Sequence, residues 1–552
     1  MIRSILPALL CSVATLGAAD ISIGYRGNGS GVYPNTNPPT ECDDATGKNI
    51  LWKAPLPHFG HSSPIVVGSR VFVTCEPGWK SDWPQLLCFD ANTGKELWRK
   101  DLNHLPVSKL IPEEQTRVAE AWHQFLTKWA EGYKAAWRWR TGDDAAKNEA
   151  DKQLAKNGFQ PRNKKMGDPF DGREINMNEA SFKDINTLMK KGNLMGETWR
   201  EGGSLGVACV GQSFATPISD GQKIWTVTAF GGFFCYSLEG QLLWAKHYPG
   251  QMGEYCRNGR SPLLWKDLLL SDITALCRAI DKNTGELKWS ALVGQQAIIT
   301  PTIISVAGTD ILLCDGGAMT KGGKLGGGKA FRLPDGKELT IDGWTDLGAT
   351  ALTKCDERDV VFFCEGGDHA PWSGFRATGH QNSPAAVRFR LEGETLKTTL
   401  LWNGVDGKAF TAYEGLVYHA GKLYCNGDTG LILDALSGKV LAGSSEKGKT
   451  RVTPASRHML VVAGDRLYGI SESSVNKGNK TKVGILSAYS LDGKPIGQGT
   501  LLTAKVEGGK SEQIGQTTGN ETWGFSYSCP FSVSGDRIYA RSNDDLICIG
   551  KP

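Results

Sequence analysis

Short apolar runs broken by turn residues recur along most of the chain. Leu86-Leu87-Cys88-Phe89, Phe233-Phe234-Cys235-Tyr236 and Leu546-Ile547-Cys548-Ile549 are examples. Runs this short, bounded by Gly, Asp and Asn, predict strands rather than helices. Two patterns alternate. One reads Asp-x-x-Thr-Gly followed by a strand that ends on Trp, as in Asp90 to Trp98 and Asp281 to Trp289, with a close copy from Asp44 to Trp52. The Asp carboxylate accepts from nearby amides, and Gly takes the left-handed turn position. The other reads Ser or Thr, then Pro, then an apolar run, a Gly turn and a second run, as in Ser63-Pro64 to Val73 and Thr216-Pro217 to Thr226. Pro is tolerated at the head of a strand because no ladder donor is needed there.

Joined, the two patterns give four short antiparallel strands per unit, which is the content of a propeller blade. Units begin near Ser62, Phe214, Gly259, Thr300, Ala349, Tyr413, Val452 and Ser526. The predicted fold class is therefore all-β, an eight-bladed β-propeller of four-stranded antiparallel blades. Seven blades remain the alternative, because the units between 300 and 403 are degenerate. The last unit lacks an outer strand, and the turn and strand from Asp44 to Leu56 can supply it. That pairing of the Trp52 strand with the strand of Ile547 would close the ring without leaving sheet edges.

Residues 103–200 break the pattern. Val118, Trp122, Phe125, Trp129, Tyr133 and Trp137 fall on one helical stripe. Helices are predicted over Pro112–Arg140, Asp143–Lys156 and Asn178–Lys191, with a polar surface loop from Gln160 to Arg173. This helical insertion follows the first blade and either caps the ring or docks a partner. The division expected is 1–19 as a leader, 20–102 as the closing strand and first blade, 103–200 as the insertion, and 201–552 as the remaining blades.

The leader is a signal-peptide reading. Arg3 supplies the positive end, Ile5 to Leu16 is apolar but too short to span a bilayer, and Gly17-Ala18-Ala19 suits cleavage before Asp20. Cys11 follows Leu10, which is too large for a lipid-attachment box. The expected location is exported, periplasmic or secreted, with no membrane span. A net charge of +4 over 552 residues leaves no electrostatic footprint for nucleic acid. Of 14 cysteines, 13 follow the leader, and most sit in or at the ends of apolar runs as small core fillers.

Asp-x-x-Thr-Gly-x-x-x-Trp with the preceding Ser/Thr-Pro strand resembles the repeat of the pyrroloquinoline-quinone (PQQ) propellers. That class includes quinoprotein alcohol dehydrogenases and an outer-membrane assembly lipoprotein. The resemblance covers most of 22–100 and 205–552. It implies the fold, while the fold hosts enzymes and scaffolds alike. For a dehydrogenase it also implies a vicinal disulfide over the cofactor, a calcium ion and an aspartate base. No two cysteines of this chain are adjacent, and no motif maps the calcium ligands or the base, so PQQ with calcium is not supported by the residues. Phosphate-loop, HExxH and nucleophile-elbow signatures are also absent, and no catalytic or metal-binding residue is assigned.

The remaining candidates are residues placed near the central funnel. They are His61, Ser62, Arg260, Arg451 and Trp523 with Tyr527, joined by His380 and the segment Asp368 to Trp372. Together they suit an anionic or sugar-like ligand, while each could equally hydrogen-bond loop carbonyls. The leading functional expectation is a non-catalytic binding or assembly scaffold, with other envelope proteins or a small ligand at the funnel as partners. The alternative is a PQQ-dependent oxidoreductase of the alcohol or sugar dehydrogenase type.

Overall fold

The structure is a computed structural model. It describes residues 23–57, 62–76, 81–141, 144–156, 175–194, 215–250, 261–293, 300–314, 328–343, 384–405, 416–444, 459–504 and 531–552, with short breaks inside some spans and a few residues between them.

Among the described residues the chain forms seven sheets of four or more strands. One of them has eight strands and consists of two four-stranded units, so the chain carries eight four-stranded antiparallel blades. We number these blades in chain order and letter their strands a to d. Blade 1 shows the plan with strands Ile65–Val67, Arg70–Cys75, Gln85–Asp90 and Glu96–Asp101. Blades 2 to 7 occupy 218–247, 263–292, 302–343, 353–403, 417–443 and 460–504. Blade 8 takes strands a to c from Phe531–Ser534, Arg537–Arg541 and Asp545–Gly550, and its strand d is Ile50–Pro55 from the other end of the chain. Trp52 pairs with Cys548 and Lys53 with Ile547. The ring is thus closed by its own termini, as the sequence predicts. Strands a of neighbouring blades approach one another, for example in blades 8 and 1 and in blades 6 and 7. They therefore line the centre.

At five junctions neighbouring blades are fastened by a Trp within strand d, from blades 8, 1, 2, 3 and 5. Its indole packs against the Asp-x-x-Thr-Gly turn of the next blade and donates to that turn. Trp52 Nε1 donates to Ala91 O at 3.1 Å, Trp98 to Leu238 O at 3.0 Å, Trp244 to Lys282 O at 3.0 Å, Trp289 to Pro334 O at 2.7 Å and Trp402 to Ala435 O at 2.9 Å. Each ring lies under the turn glycine. Gly94 has φ +70°, and a Cβ there would come within 2.5 Å of the Trp52 ring. The repeat thus needs Gly twice, for the backbone conformation and for the aromatic beneath it. The turn itself is held by Asp90, which accepts from Asn92 N at 3.0 Å, Thr93 N at 2.8 Å and Thr93 Oγ1 at 2.9 Å.

The Ser/Thr-Pro pattern has a second use. Ser63 N donates to Thr216 Oγ1 at 3.0 Å, Thr216 N to Ser261 Oγ at 3.0 Å, and Ser261 N to Thr300 Oγ1 at 3.1 Å. These hydroxyls form a belt that satisfies buried amides between blades 1, 2, 3 and 4.

The junction of blades 4 and 5 differs. Strand d of blade 4, Glu338–Gly343, pairs in parallel with strand d of blade 5, Thr395–Asn403, through Thr340 with Thr395 and Ile341 with Leu396. The degeneracy of the sequence between 300 and 403 therefore marks a changed fastening rather than a missing blade.

A strap from 23 to 44 crosses the ring. Ile23 bridges Ser219 on strand a of blade 2, and Val32–Tyr33 runs parallel to strand a of blade 7. Since both partners are innermost strands, the strap spans the central channel. Arg26 is buried within it and donates to Leu416 O and Leu460 O. The strap then passes Gly497 and Gly499, where a Cβ would collide with Thr40 and Cys42, and leads to the Trp52 strand.

The insertion forms α1 (Pro112–Thr141), α2 (Asp144–Lys156) and α3 (Glu179–Lys191), within a residue or two of prediction at every end. A two-stranded ladder, Phe159–Pro161 with Ile175–Met177, takes up the start of the predicted polar loop. That corrects the expectation for Gln160 and Pro161, whose backbone pairs with Ile175 and Asn176 rather than lying in a loop. Val118, Trp122 and Phe125 are buried together with Trp83 of blade 1 and Phe230 of blade 2. Trp129, Tyr133 and Trp137 fall on side chains outside the described set. Among the described residues, no helix is long and apolar enough to cross a membrane.

Candidate functional site

The antiparallel order of the described strands puts the end of each strand b, the start of each strand c, the end of each strand d and the start of each strand a at one end of the ring. We call it the upper rim. The helical insertion lies on this rim because it leaves strand d of blade 1.

Ser62 lies on the rim, fully buried. Its hydroxyl accepts from Thr74 N at 3.0 Å and from Arg541 Nη1 at 3.1 Å. Arg541, at the end of strand b of blade 8, is itself fully buried. It also donates to Thr74 O and reaches Cys75 Sγ at 3.3 Å. Burial pushes its pKa down, opposed by the neighbouring Cys75 and Glu76. Gly60 makes room for this guanidinium, because a Cβ there would come within 2.5 Å of it. The cluster joins the closing blade to the first one. Arg451 turns back on its own loop, with Nε 3.3 Å from Thr453 O and Nη2 3.3 Å from Pro454 O. The structure therefore does not bring Ser62 and Arg451 together on one ligand. His61, Arg260, His380, Trp523, Tyr527 and the segment 368–372 lie outside the described residues.

Polar residues that sequence reading missed stand at one repeated place, directly after strand b. They are Glu76, Thr228, Asp272, Asn426 and Ser542, all buried. A signal for two of them, Glu76 and Asn426, was present. Cys75-Glu76-Pro77-Gly78, Cys314-Asp315-Gly316-Gly317, Cys364-Glu365-Gly366-Gly367 and Cys425-Asn426-Gly427 share one form, a Cys, then an acid or amide, then glycine within two residues.

A second polar cluster lies where the insertion meets the rim. His104 is buried, with Nε2 2.8 Å from Gly192 O, so it ties the entry of the insertion to its exit. Its ring lies 4.3 Å from that of His247 and is flanked by Trp83 and Phe230. Burial, and then His247, push the His104 pKa down to about 3. His247, 3.1 Å from Phe230 O, is also lowered, first by burial. Both rings are therefore neutral at physiological pH.

A quinone cofactor with calcium would need several carboxylate or amide oxygens converging on the cation. Among the described residues, no three His, Cys, Asp or Glu side chains come close enough to hold a metal ion. The described residues do not supply such a carboxylate set.

The fold defines the class, a β-propeller, and its turn motif is similar to that of PQQ-like repeats. Within it, residues 40–152 match the family model described as outer membrane protein assembly factor BamB, about a fifth of the chain. No curated protein matches the chain. Among solved structures, it resembles BamB from Moraxella catarrhalis at 11% identity and a TM-score of 0.34, covering 60% of this chain and 80% of that one. It resembles the quinohemoprotein alcohol dehydrogenase from Comamonas testosteroni at 10% identity and a TM-score of 0.44, covering 97% and 82%. A europium-containing methanol dehydrogenase aligns at 11% identity and a TM-score of 0.34, covering 82% and 73%. The propeller assignment stands on the strand pairing described above.

Proposed function

We propose that this chain is an exported, non-catalytic propeller that acts as a binding or assembly scaffold, periplasmic or secreted. One observation carries the reading. Three polar side chains at the rim, Ser62, Arg541 and Arg451, are turned into the protein, Arg541 and Ser62 across the closing seam and Arg451 within its loop. A catalytic funnel needs such groups turned toward a substrate. The helical insertion, seated on blades 1 and 2, offers a partner a surface that the repeats themselves lack.

Titration of the purified protein with PQQ and calcium, followed by calorimetry and by dye-linked oxidation assays, tests this. No saturable binding and no oxidation are expected. Saturable binding with oxidation of any alcohol or sugar would overturn the scaffold reading in favour of a quinoprotein dehydrogenase. In a parallel capture from the envelope fraction, a variant lacking residues 105–195 should fold and lose partners that the full chain retains.

A further inference from the structure

Cys277 and Cys314 stand apart from the role of core filler. Cys277 opens strand c of blade 3 (Leu276–Asp281), and Cys314 ends strand b of blade 4 (Thr309–Cys314). Both lie at the upper end of their strands, and both are buried in the apolar layer between the two blades with Leu270, Leu312 and Phe331. Their sulfurs are 3.9 Å apart, across 37 positions of sequence. Two thiols already in contact across a packed interface are held by that packing at high effective concentration.

We propose that Cys277 and Cys314 form a disulfide that staples blade 3 to blade 4 when the chain folds under oxidising conditions. In the reaction an S–S bond forms between the two Sγ atoms. Each thiol gives up its proton, and the electron pair reduces an incoming disulfide of the glutathione or protein-oxidase class, which leaves as two thiols. The folded ring shields both sulfurs, with Cys277 at 0% and Cys314 at 2% exposure. The exchange therefore belongs to folding, before blade 4 closes on blade 3. The use of this bridge in the cell rests on the exported reading above, while its chemistry does not.

The full chain is unfolded, refolded in glutathione buffers of graded oxidised fraction, quenched with N-ethylmaleimide and mapped by mass spectrometry without reduction. A single peptide pair linking Cys277 to Cys314 is expected. The oxidised protein should melt a few degrees above the reduced one, and dithiothreitol added during unfolding should remove the difference. The variants Cys277→Ala and Cys314→Ala should each abolish both the linked peptide and the shift. Refolded native protein that keeps both thiols in fully oxidised buffer overturns the proposal, as does scattered pairing with other cysteines. The same mapping on protein taken from cells separates the two readings. Free thiols there, with the bridge forming in vitro, count against export and leave the pair intact. Export shown by fractionation, with thiols that never bridge in vitro, counts against the pair alone.

Discussion

The junction of blades 1 and 2 and the junction of blades 4 and 5 solve the same problem with different materials. In the first, Trp98 lies under Gly240 and donates to Leu238 O. In the second, Thr340 occupies the position four residues past the turn glycine Gly336, where strands d of blades 1, 2 and 3 carry Trp98, Trp244 and Trp289. The corresponding turn glycine, Gly393, has nothing within 4 Å of a built Cβ. Thr340 N donates to Glu394 O at 3.1 Å, and the two outer strands pair edge to edge. An aromatic dock buries apolar surface and leaves the strand edges open, whereas edge pairing buries little and satisfies backbone groups directly. A propeller can exchange one for the other without losing a blade.

That contrast can be broken most severely at the dock that closes the ring. Trp52→Ala removes a side chain only 9% exposed. It should cost about 4 kcal/mol, as large aromatic deletions do, read from denaturant midpoints. Next come paired glycine substitutions. Gly94→Ala should cost about 3 kcal/mol, because it adds backbone strain and displaces the Trp52 ring. Gly393→Ala, at φ +61° with open space around it, should cost only about 1 kcal/mol of strain. Equal losses at the two sites would erase the distinction drawn between docked and paired junctions.

The insertion is fastened by neither device, and acid should reveal it. The His104 pKa falls from 6.5 to about 3 on folding, so the unfolded chain binds the proton first. The stability it contributes is complete above about 6.5 and is lost as pH falls toward 3. Between pH 7 and 5 the loss is on the order of 2 kcal/mol. His104→Gln should flatten this part of the pH profile, and an unchanged profile would show that the histidine pair does not govern the clasp. The smallest effect is expected at the paired junction itself. Lys397→Ala removes an exposed ion pair with Asp342 and should leave the denaturation midpoint unchanged within error.

Much of the ring is legible in the sequence because its determinants are local. Asp90, Gly94 and Trp98 lie within one hairpin, and the stripe from Val118 to Phe125 lies on one helix, so spacing alone reveals them. The hydroxyl belt is not legible, since Ser63 and Thr216 stand 153 positions apart. The fate of Ser62 is hidden for the same reason, its partner Arg541 being 479 positions away. A polar residue beside a Pro strand looks the same in sequence whether it faces a ligand or a distant guanidinium. Two of the polar residues after strand b were within reach. Glu76 and Asn426 follow cysteines that periodicity explains as filler, and the apolar run ends just before them.

The closing blade has a kinetic consequence. Its outer strand, Ile50–Pro55, must wait for Asp545–Gly550, so one of the earliest segments to leave the ribosome is among the last to find its place. Loop closure over nearly the whole chain is entropically slow, and it comes after the local hairpins have formed. Until then blades 1 and 8 present bare edges, and the strap with Arg26 has no channel to enter. The native ring is thus a product of completed synthesis, and any chain released short of Phe531 holds blades that cannot become a circle.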